Sequence, residues 1–169
     1  KASKTGKNIT LRADIDALEL EDQSEVPWRS KNRGLAHSCG HDGHTAVLLG
    51  TALVLKELTP IIKGSVRFVF QPGEEGCAGG EKLVTAGVLD EDPKPESVYA
   101  LHGWPELPLG TFSAKSGPYM AAQARYKILI KGKGGHGGKP HLAVDPIVIG
   151  TQVVQSLQTL VSRYIDPAY

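Results

Sequence analysis

The sequence predicts an α/β fold, a largely parallel sheet with flanking helices. Strand-like and helix-like segments alternate at short spacing over residues 8–105, and the strand-like ones are β-branched or aromatic. The residues capable of chemistry gather where those strands end. "NITLRADID" (8–16) reads as a strand entering a turn. "GHTAVLLGTALVLKEL" (43–58) is long enough for a helix and apolar around most of its circumference, which predicts burial on more than one side. "SVRFVFQP" (65–72) alternates as a strand does. "GGEKLVTAGVL" (79–89) predicts a short helix with Gly87 closing its end. "SVYALHGWP" (97–105) predicts a further strand with a histidine near its end. Crossovers of this length join parallel strands.

The texture changes after "SGPYMAA" (116–122), where a domain boundary is expected: residues 1–117 before it, residues 118–169 after it. "QARYKILIKGKGG" (123–135) predicts an alternating strand with basic outward positions. "AVDPIVIGTQVVQSLQTLVSRY" (143–164) predicts one amphipathic helix with Asp145 as N-cap and Pro146 at the first helical position. One strand and one helix cannot bury both of their faces, so this unit reads as part of a larger domain.

The 169 residues suffice for one ordinary domain, or one domain and a piece of another. With 19 basic against 18 acidic side chains and no basic stripe, the chain offers no basis for nucleic-acid or membrane partners. No apolar run approaches membrane-spanning length, and "KASKTGKNIT" has neither an initiator Met nor the apolar core of a signal peptide. A fragment or a processed product is expected. Only two cysteines, Cys39 and Cys77, favour a reducing, cytoplasmic setting over a disulfide scaffold.

"HSCGHDGH" (37–44) concentrates three histidines, a cysteine and an aspartate in eight residues. Cys39 and His41, one residue apart, offer a thiolate and an imidazole, both ligands for Zn²⁺ and similar ions. Two ligands do not make a site. The next candidates are Glu74 and Glu75 in "GEEG", just after the strand 65–72, and His102 in "LHGW". Parallel strands deliver their carboxyl ends to one edge of the sheet, where these distant residues can converge. Adjacent glutamates point in different directions, so one carboxylate can bind metal while the other handles protons. Alone, a Glu-Glu pair is an ordinary solvated surface feature and His102 an ordinary core histidine; the shared strand-end placement separates them from that. Asp42 is read either as orienting an imidazole or as capping the helix 43–58. Asp14 and Asp16, two residues apart on a strand, share a face toward the site; Asp16 is read as supporting rather than ligating, with a charged turn as the alternative. His37 and His44 flank the cluster, and nothing in the spacing assigns either to a metal.

"LRADIDAL", "HSCGHDGHTA", "FQPGEEG", "LHGWPELPLG" and "GKGGHGGKPH", in this order, resemble the M20 metallopeptidases. The branch they resemble most is the amidohydrolases of N-acyl amino acids, hippurate-like compounds and auxin–amino acid conjugates. The resemblance covers nearly the whole chain. It implies a zinc-peptidase-like catalytic domain interrupted by an inserted α+β dimerisation domain, whose first part is residues 118–169. It implies two divalent metal ions, Zn²⁺ or Mn²⁺ with Co²⁺ and Ni²⁺ also compatible. Cys39, His41, Glu75 and His102 match the family's metal ligands and Glu74 its base. His136 matches a histidine thought to stabilise the tetrahedral intermediate, and His141 a substrate contact or structural residue. The implied partners are a small N-acyl amino acid substrate and a second copy of the chain, as a homodimer or higher oligomer. Glu19 stands where the family usually has proline, and Gly137 and Gly138 where alanine or serine is usual after the histidine.

The implied function is hydrolysis of the amide of an N-acyl amino acid by metal-activated water. Two alternatives differ in class: a truncated or degenerate metal-binding or assembly module without catalysis, and a purely structural zinc domain, against which the paired glutamates speak. The family pattern calls for a further histidine ligand that no residue after His141 supplies, so an internal segment of a longer enzyme, inactive alone, is expected.

Overall fold

The structure is a computed structural model and describes residues 6–120 and 126–165. It divides into two compact units, Lys1–Leu109 and Gly110–Tyr169.

The first unit is built on three parallel strands in the order β2-β1-β3, with β1 (Asn8–Asp14) between β2 (Ser65–Gln71) and β3 (Ser97–Ala100). The sheet is parallel as the alternation of strands and helices predicts. Helix α1 (His41–Glu57) connects β1 to β2, and α2 (Gly79–Thr85) connects β2 to β3. α1 lies over Val66 and Phe68 of β2, whereas Leu83 and Val84 of α2 lie over Val69 and Gln71. Alternate residues of a strand face opposite sides, so the two helices cover opposite faces of the sheet. The register pairs Asp14 with Gln71, which brings the ends of β1 and β2 level and sets the residues after them side by side.

The centre of this unit is polar. Ala13, Ala36 and Leu48 are its buried apolar residues, beside buried Thr10, Asp14, His41, His44 and Gln71. Burying such groups is costly unless they find partners. The hydrogen bonds of Asp14, His41 Nδ1, His44 and Gln71 hold the carboxyl end of β1 in place, whereas Thr10 Oγ1 and His41 Nε2 have none. Residues 15–40 leave β1 and return to α1 through a two-way backbone pair, Leu18 N–H to the Ala36 carbonyl at 2.9 Å and Ala36 N–H to the Leu18 carbonyl at 3.1 Å. The end of α2 is closed by Gly87 N–H on the Val84 carbonyl and Val88 N–H on the Leu83 carbonyl, a Schellman arrangement.

Two expectations are corrected. α1 is not buried on several sides: His41, His44 and Leu48 form its one buried stripe, while Val47, Leu49, Leu53 and Val54 are exposed. Positions 41, 44 and 48 share one helix face, and among the described residues no second layer covers the other. The strand expected over 123–135 falls partly outside the described residues, and residues 126–135 carry only an isolated bridge, Lys133 with Val144. A strand persists through a ladder of neighbours, and among the described residues none is supplied here.

In the second unit a short 3₁₀ turn, Pro140–Leu142, precedes α3 (Pro146–Thr159), which continues as a π-helical turn, Leu160–Tyr164. The Asp145 side chain accepts from Ile147 N–H at 2.8 Å and Pro146 opens the helix, as its sequence predicts. No helix among the described residues is long and apolar enough to cross a membrane.

Two glycines separate backbone strain from helix propensity. A Cβ on Gly79, the first residue of α2, would run into the Pro72 carbonyl oxygen, whereas Gly50 in the middle of α1 faces open space. Gly79→Ala is expected to destabilise by about 1–3 kcal/mol, as overpacking does. Gly50→Ala is expected to stabilise by up to about 1 kcal/mol. Urea midpoints of the two variants check this; a shift in the same direction for both would refute the assigned contacts.

Candidate metal centre

Three segments meet at the carboxyl edge of the sheet: the start of α1, the turn after β2, and the residues after β3. Gly40, at φ 86°, is the N-cap of α1, a left-handed backbone that glycine adopts without strain. The C-x-H spacing is therefore tied to a glycine, which turns the chain between Cys39 and His41. After β2 the chain closes a tight loop, with Gly76 N–H on the Glu74 carbonyl and Gly79 N–H on the Gly73 carbonyl. That loop presents Glu74 and Glu75. β3 ends at Ala100, and His102 follows two residues later.

His41 stands at the centre. Its Nδ1 donates to the Asp16 carbonyl oxygen at 3.0 Å and lies 3.3 Å from Asp16 Oδ1. With the proton on Nδ1, Nε2 is the lone-pair nitrogen of the neutral ring. Nε2 is buried and lies 3.8 Å from Glu75 Oε1, 4.0 Å from Glu74 Oε2 and 3.7 Å from Asp14 Oδ2. His102 is arranged in the same sense. Its Nδ1 donates to the Gly103 carbonyl at 2.7 Å, which leaves Nε2 to face Cys39 Sγ at 3.4 Å.

Asp16 supports both sides of the cluster. Besides holding His41, its Oδ2 accepts from Glu75 N–H at 3.0 Å. Burial pushes the Asp16 carboxyl up, but the backbone N–H groups of Glu75 and Glu74 outweigh burial and leave it below the ordinary carboxylate value. The Cys39 thiol is pushed up to about 11, first by burial, then by its hydrogen bond to Glu75 and the negative charges of Glu75, Glu74 and Asp14. Without a cation the sulfur keeps its proton beside these carboxylates.

Two buried acceptors 3.8 Å apart, His41 Nε2 and Glu75 Oε1, have no hydrogen-bond partner, and neither has Asp16 Oδ1 on the Nδ1 side of the His41 ring. Lone pairs and carboxylate oxygens turned toward one another are costly unless a cation joins them. Cys39, His41 and His102 bring one ligand atom each within 4.8 Å of one another, and so do His41, Glu74 and Glu75. The two triads share His41. The donor set of sulfur, imidazole nitrogen and carboxylate oxygen suits Zn²⁺ and related transition ions. The residues present therefore fit a metal centre.

Three other sequence candidates, Asp42, His136 and His141, belong to neither triad. Asp42 is exposed in the first turn of α1 and neither caps the helix nor joins the hydrogen bonds of the cluster. His136 and His141 belong to the second unit and are exposed; His136 Nδ1 accepts from Gly138 N–H at 3.0 Å, which puts the ring proton on Nε2. One pair went unassigned in the sequence. Asp14 accepts from His44 Nδ1 at 2.7 Å, both side chains being buried, and Asp14 also takes Arg12 Nη1 at 2.8 Å. Burial raises the Asp14 carboxyl, but the His44 hydrogen bond and the Arg12 charge outweigh it and leave it lowered. The signal was the helical spacing of His41 and His44, which puts both on one face of α1.

The family model of peptidase family M20/M25/M40 matches residues 10–159. The chain is 46% identical to an N-acetylcysteine deacetylase of Bacillus subtilis over 98% of its own length and 43% of the relative's. It is 48% identical to an N-acyl-L-amino acid amidohydrolase of Geobacillus stearothermophilus, covering 96% of this chain and 43% of that one. Among solved structures, a Bacillus subtilis dinuclear metal binding peptidase from the M20 family is 46% identical with a TM-score of 0.63, covering 67% of this chain and 31% of that one. A putative aminohydrolase from methicillin resistant Staphylococcus aureus is 34% identical with a TM-score of 0.71, covering 97% of this chain and 43% of that one. The chain thus spans less than half the length of these relatives. A match running from the middle of β1 to the end of α3, joined to this level of identity, establishes that the chain belongs to the M20 family of peptidases.

Proposed function

We propose that this protein is a metal-dependent amidohydrolase that cleaves the amide bond of N-acyl amino acids or related conjugates with water. The observation that carries the reading is the convergence of His41 Nε2 and Glu75 Oε1, buried without partners and 3.8 Å apart, beside Cys39, His102 and Glu74. The names of the relatives supply the substrate class. In this reading Cys39, His41, Glu75 and His102 hold two divalent ions, Zn²⁺ or Mn²⁺, with Co²⁺ and Ni²⁺ also suited to the donor set. When bound, such ions supply Lewis acidity, which makes water a better nucleophile at neutral pH and polarises the carbonyl.

The remaining work falls to side chains. Glu74, 44% exposed against 27% for Glu75, is the more open of the two carboxylates. It accepts a proton from water as the oxygen attacks the amide carbon, and returns that proton to the nitrogen as the C–N bond breaks. Asp16 holds the His41 ring and the Glu75 backbone, and so orients a ligand from each triad. His136 is assigned to the developing oxyanion. Its Nδ1 takes the Gly138 N–H, so Nε2–H is the donor it offers. His141 is assigned a supporting role. Residues 1–117 are read as part of the catalytic domain and residues 118–169 as the start of an inserted dimerisation domain, in a cytoplasmic enzyme. The apolar side chains that α3 leaves exposed, Ile147, Val154 and Leu157 among them, support a homodimer or higher oligomer.

Glu74→Gln in the complete gene product keeps size and polarity but removes the proton acceptor. Metal content by elemental analysis is expected to stay unchanged while turnover of N-acyl amino acids falls about 100-fold or more. Full turnover in a metal-loaded Glu74→Gln enzyme would take the proton-transfer role away from Glu74.

Cys39 gives a test that needs no substrate. The thiolate is the alkylated species, and in the metal-free protein its share grows about tenfold per pH unit until the thiol titrates. With that thiol at about 11, alkylation of Cys39 in chelator should be slow at pH 7 and climb steeply toward pH 10. Metal-loaded protein should show no such climb, because the sulfur is then deprotonated but coordinated. Cys77, which is exposed, serves as the internal reference. Mass-spectrometric alkylation rates decide it: identical pH profiles for Cys39 with and without metal would exclude sulfur from the centre.

A further inference from the structure

We propose that His44 is a positioning residue that sets His102 against Cys39 by holding the Gly103 amide. The inference deepens the metal-centre reading and rests on it for its functional meaning. His44 is 4% exposed and stands one helical turn beyond His41. Its Nδ1 donates to Asp14 Oδ1 at 2.7 Å, and its Nε2 accepts from Gly103 N–H, also at 2.7 Å. A backbone N–H can only donate, so Nε2 carries no proton; a carboxylate accepts, so Nδ1 carries it. Both ring nitrogens are thus committed and the ring is neutral. His44 lies near enough to Asp14 and His41 to form a ligand triad with them, but it has no lone pair left for a metal.

What those two bonds accomplish is seen in the segment after β3. The ladder between β1 and β3 ends with Arg12 against Ala100, so residues 101–103 lie beyond its last pair. Gly103 is fixed at its N–H by His44, and its carbonyl in turn accepts from His102 Nδ1 at 2.7 Å. His44 therefore determines where the Gly103 backbone stands, and that backbone determines which nitrogen of His102 faces Cys39. The two rings are packed edge to face with centroids 4.7 Å apart. A Cβ at Gly103 would stand 3.4 Å from His44 Nε2, so the backbone approaches the ring closely. Asp14 anchors the chain of contacts to the end of the central strand: Asp14, His44, Gly103, His102, Cys39. Each member comes from a different segment of the fold or is fixed by one that does.

The test uses two substitutions that divide the functions of the imidazole. A glutamine carbonyl reaches as far as Nε2 and can take the Gly103 N–H; an asparagine reaches only as far as Nδ1. In the complete gene product labelled with ¹⁵N-glycine, His44→Asn is expected to lose hydrogen-exchange protection at Gly103 while Gly50 in α1 keeps its own. Co²⁺ titration of the same samples, followed through the Cys39 thiolate-to-cobalt absorption, is expected to show affinity about 10- to 100-fold weaker in His44→Asn and within about threefold of the parent in His44→Gln. Equal protection and affinity in the two variants would overturn the proposal. Should His44→Asn lose Gly50 protection as well, the unsubstituted protein decides. There a long-range ¹H–¹⁵N spectrum must show the Nδ1–H tautomer at His44 together with a slowly exchanging Gly103 amide, and an Nε2–H tautomer or a fast amide overturns the proposal. If no sample binds Co²⁺ while the amide pattern is as expected, the metal reading fails and the placement of Gly103 by His44 stands.

Discussion

The buried Asp14 carboxylate is the constraint on which the carboxyl edge of the sheet is organised. It sits at the last position of the central strand, 1% exposed, where a lone charge would be strongly disfavoured. Arg12 and His44 make the burial tolerable, one through a charged hydrogen bond at 2.8 Å and the other through a neutral ring at 2.7 Å. Removing either partner would leave the carboxylate exposed to a low-dielectric surround, so the start of α1 is committed to the end of β1. Gln71, paired in register with Asp14, accepts from Arg12 Nε at 2.9 Å and ties β2 into the same group. The order of the fold at this edge is thus polar before it is apolar. That is consistent with a unit whose buried apolar residues are Ala13, Ala36 and Leu48.

The parallel sheet was legible because its strands carry β-branched and aromatic residues and its helices carry their own stops. Gly87 and Asp145 mark a helix end and a helix start by local chemistry, which does not depend on the rest of the molecule. Cys39, His41, Glu74, Glu75 and His102 were legible as candidates because a parallel sheet sends its strand ends to one edge. α1 was misjudged for the opposite reason. Apolar content states how much surface a helix would prefer to bury, and not whether the chain supplies anything to cover it; Leu53 and Val54, each 60% exposed, are the result. The segment 126–135 was misjudged similarly, since alternation describes a strand only when a neighbour exists to pair with it.

The role of His44 was the least legible feature of the site. In sequence it is one more histidine in a cluster of them, and nothing in the spacing assigns it a role. What distinguishes it is the identity of its partners, a carboxylate on one side and a backbone N–H on the other, and the second of these lies 59 residues away. Asp42 shows the converse. It looked suited to orient a neighbouring ring, yet the rotation of α1 points positions 41 and 44 inward and leaves 42 in solvent.

The hydrogen bonds of the three imidazoles express one rule. His41 and His102 each spend Nδ1–H on a backbone carbonyl, of Asp16 and Gly103, and so keep an Nε2 lone pair aimed into the cluster. His44 spends Nδ1–H on a side-chain carboxylate and its lone pair on a backbone N–H, and keeps nothing. Backbone groups cannot change protonation state, so they set the tautomer more firmly than any titratable partner would. The same backbone contacts bring together acceptors, His41 Nε2 and Glu75 Oε1, that no donor satisfies. A stable protein tolerates such a concentration only where it is useful, and local inconsistency of this kind collects at functional sites. The polar groups that stabilise this edge and those that would be relieved by a cation are therefore not two sets: Asp14 satisfies His44, Asp16 holds His41 Nδ1–H and the Glu75 amide, and the same placement leaves His41 Nε2 and Glu75 Oε1 unsatisfied and facing each other.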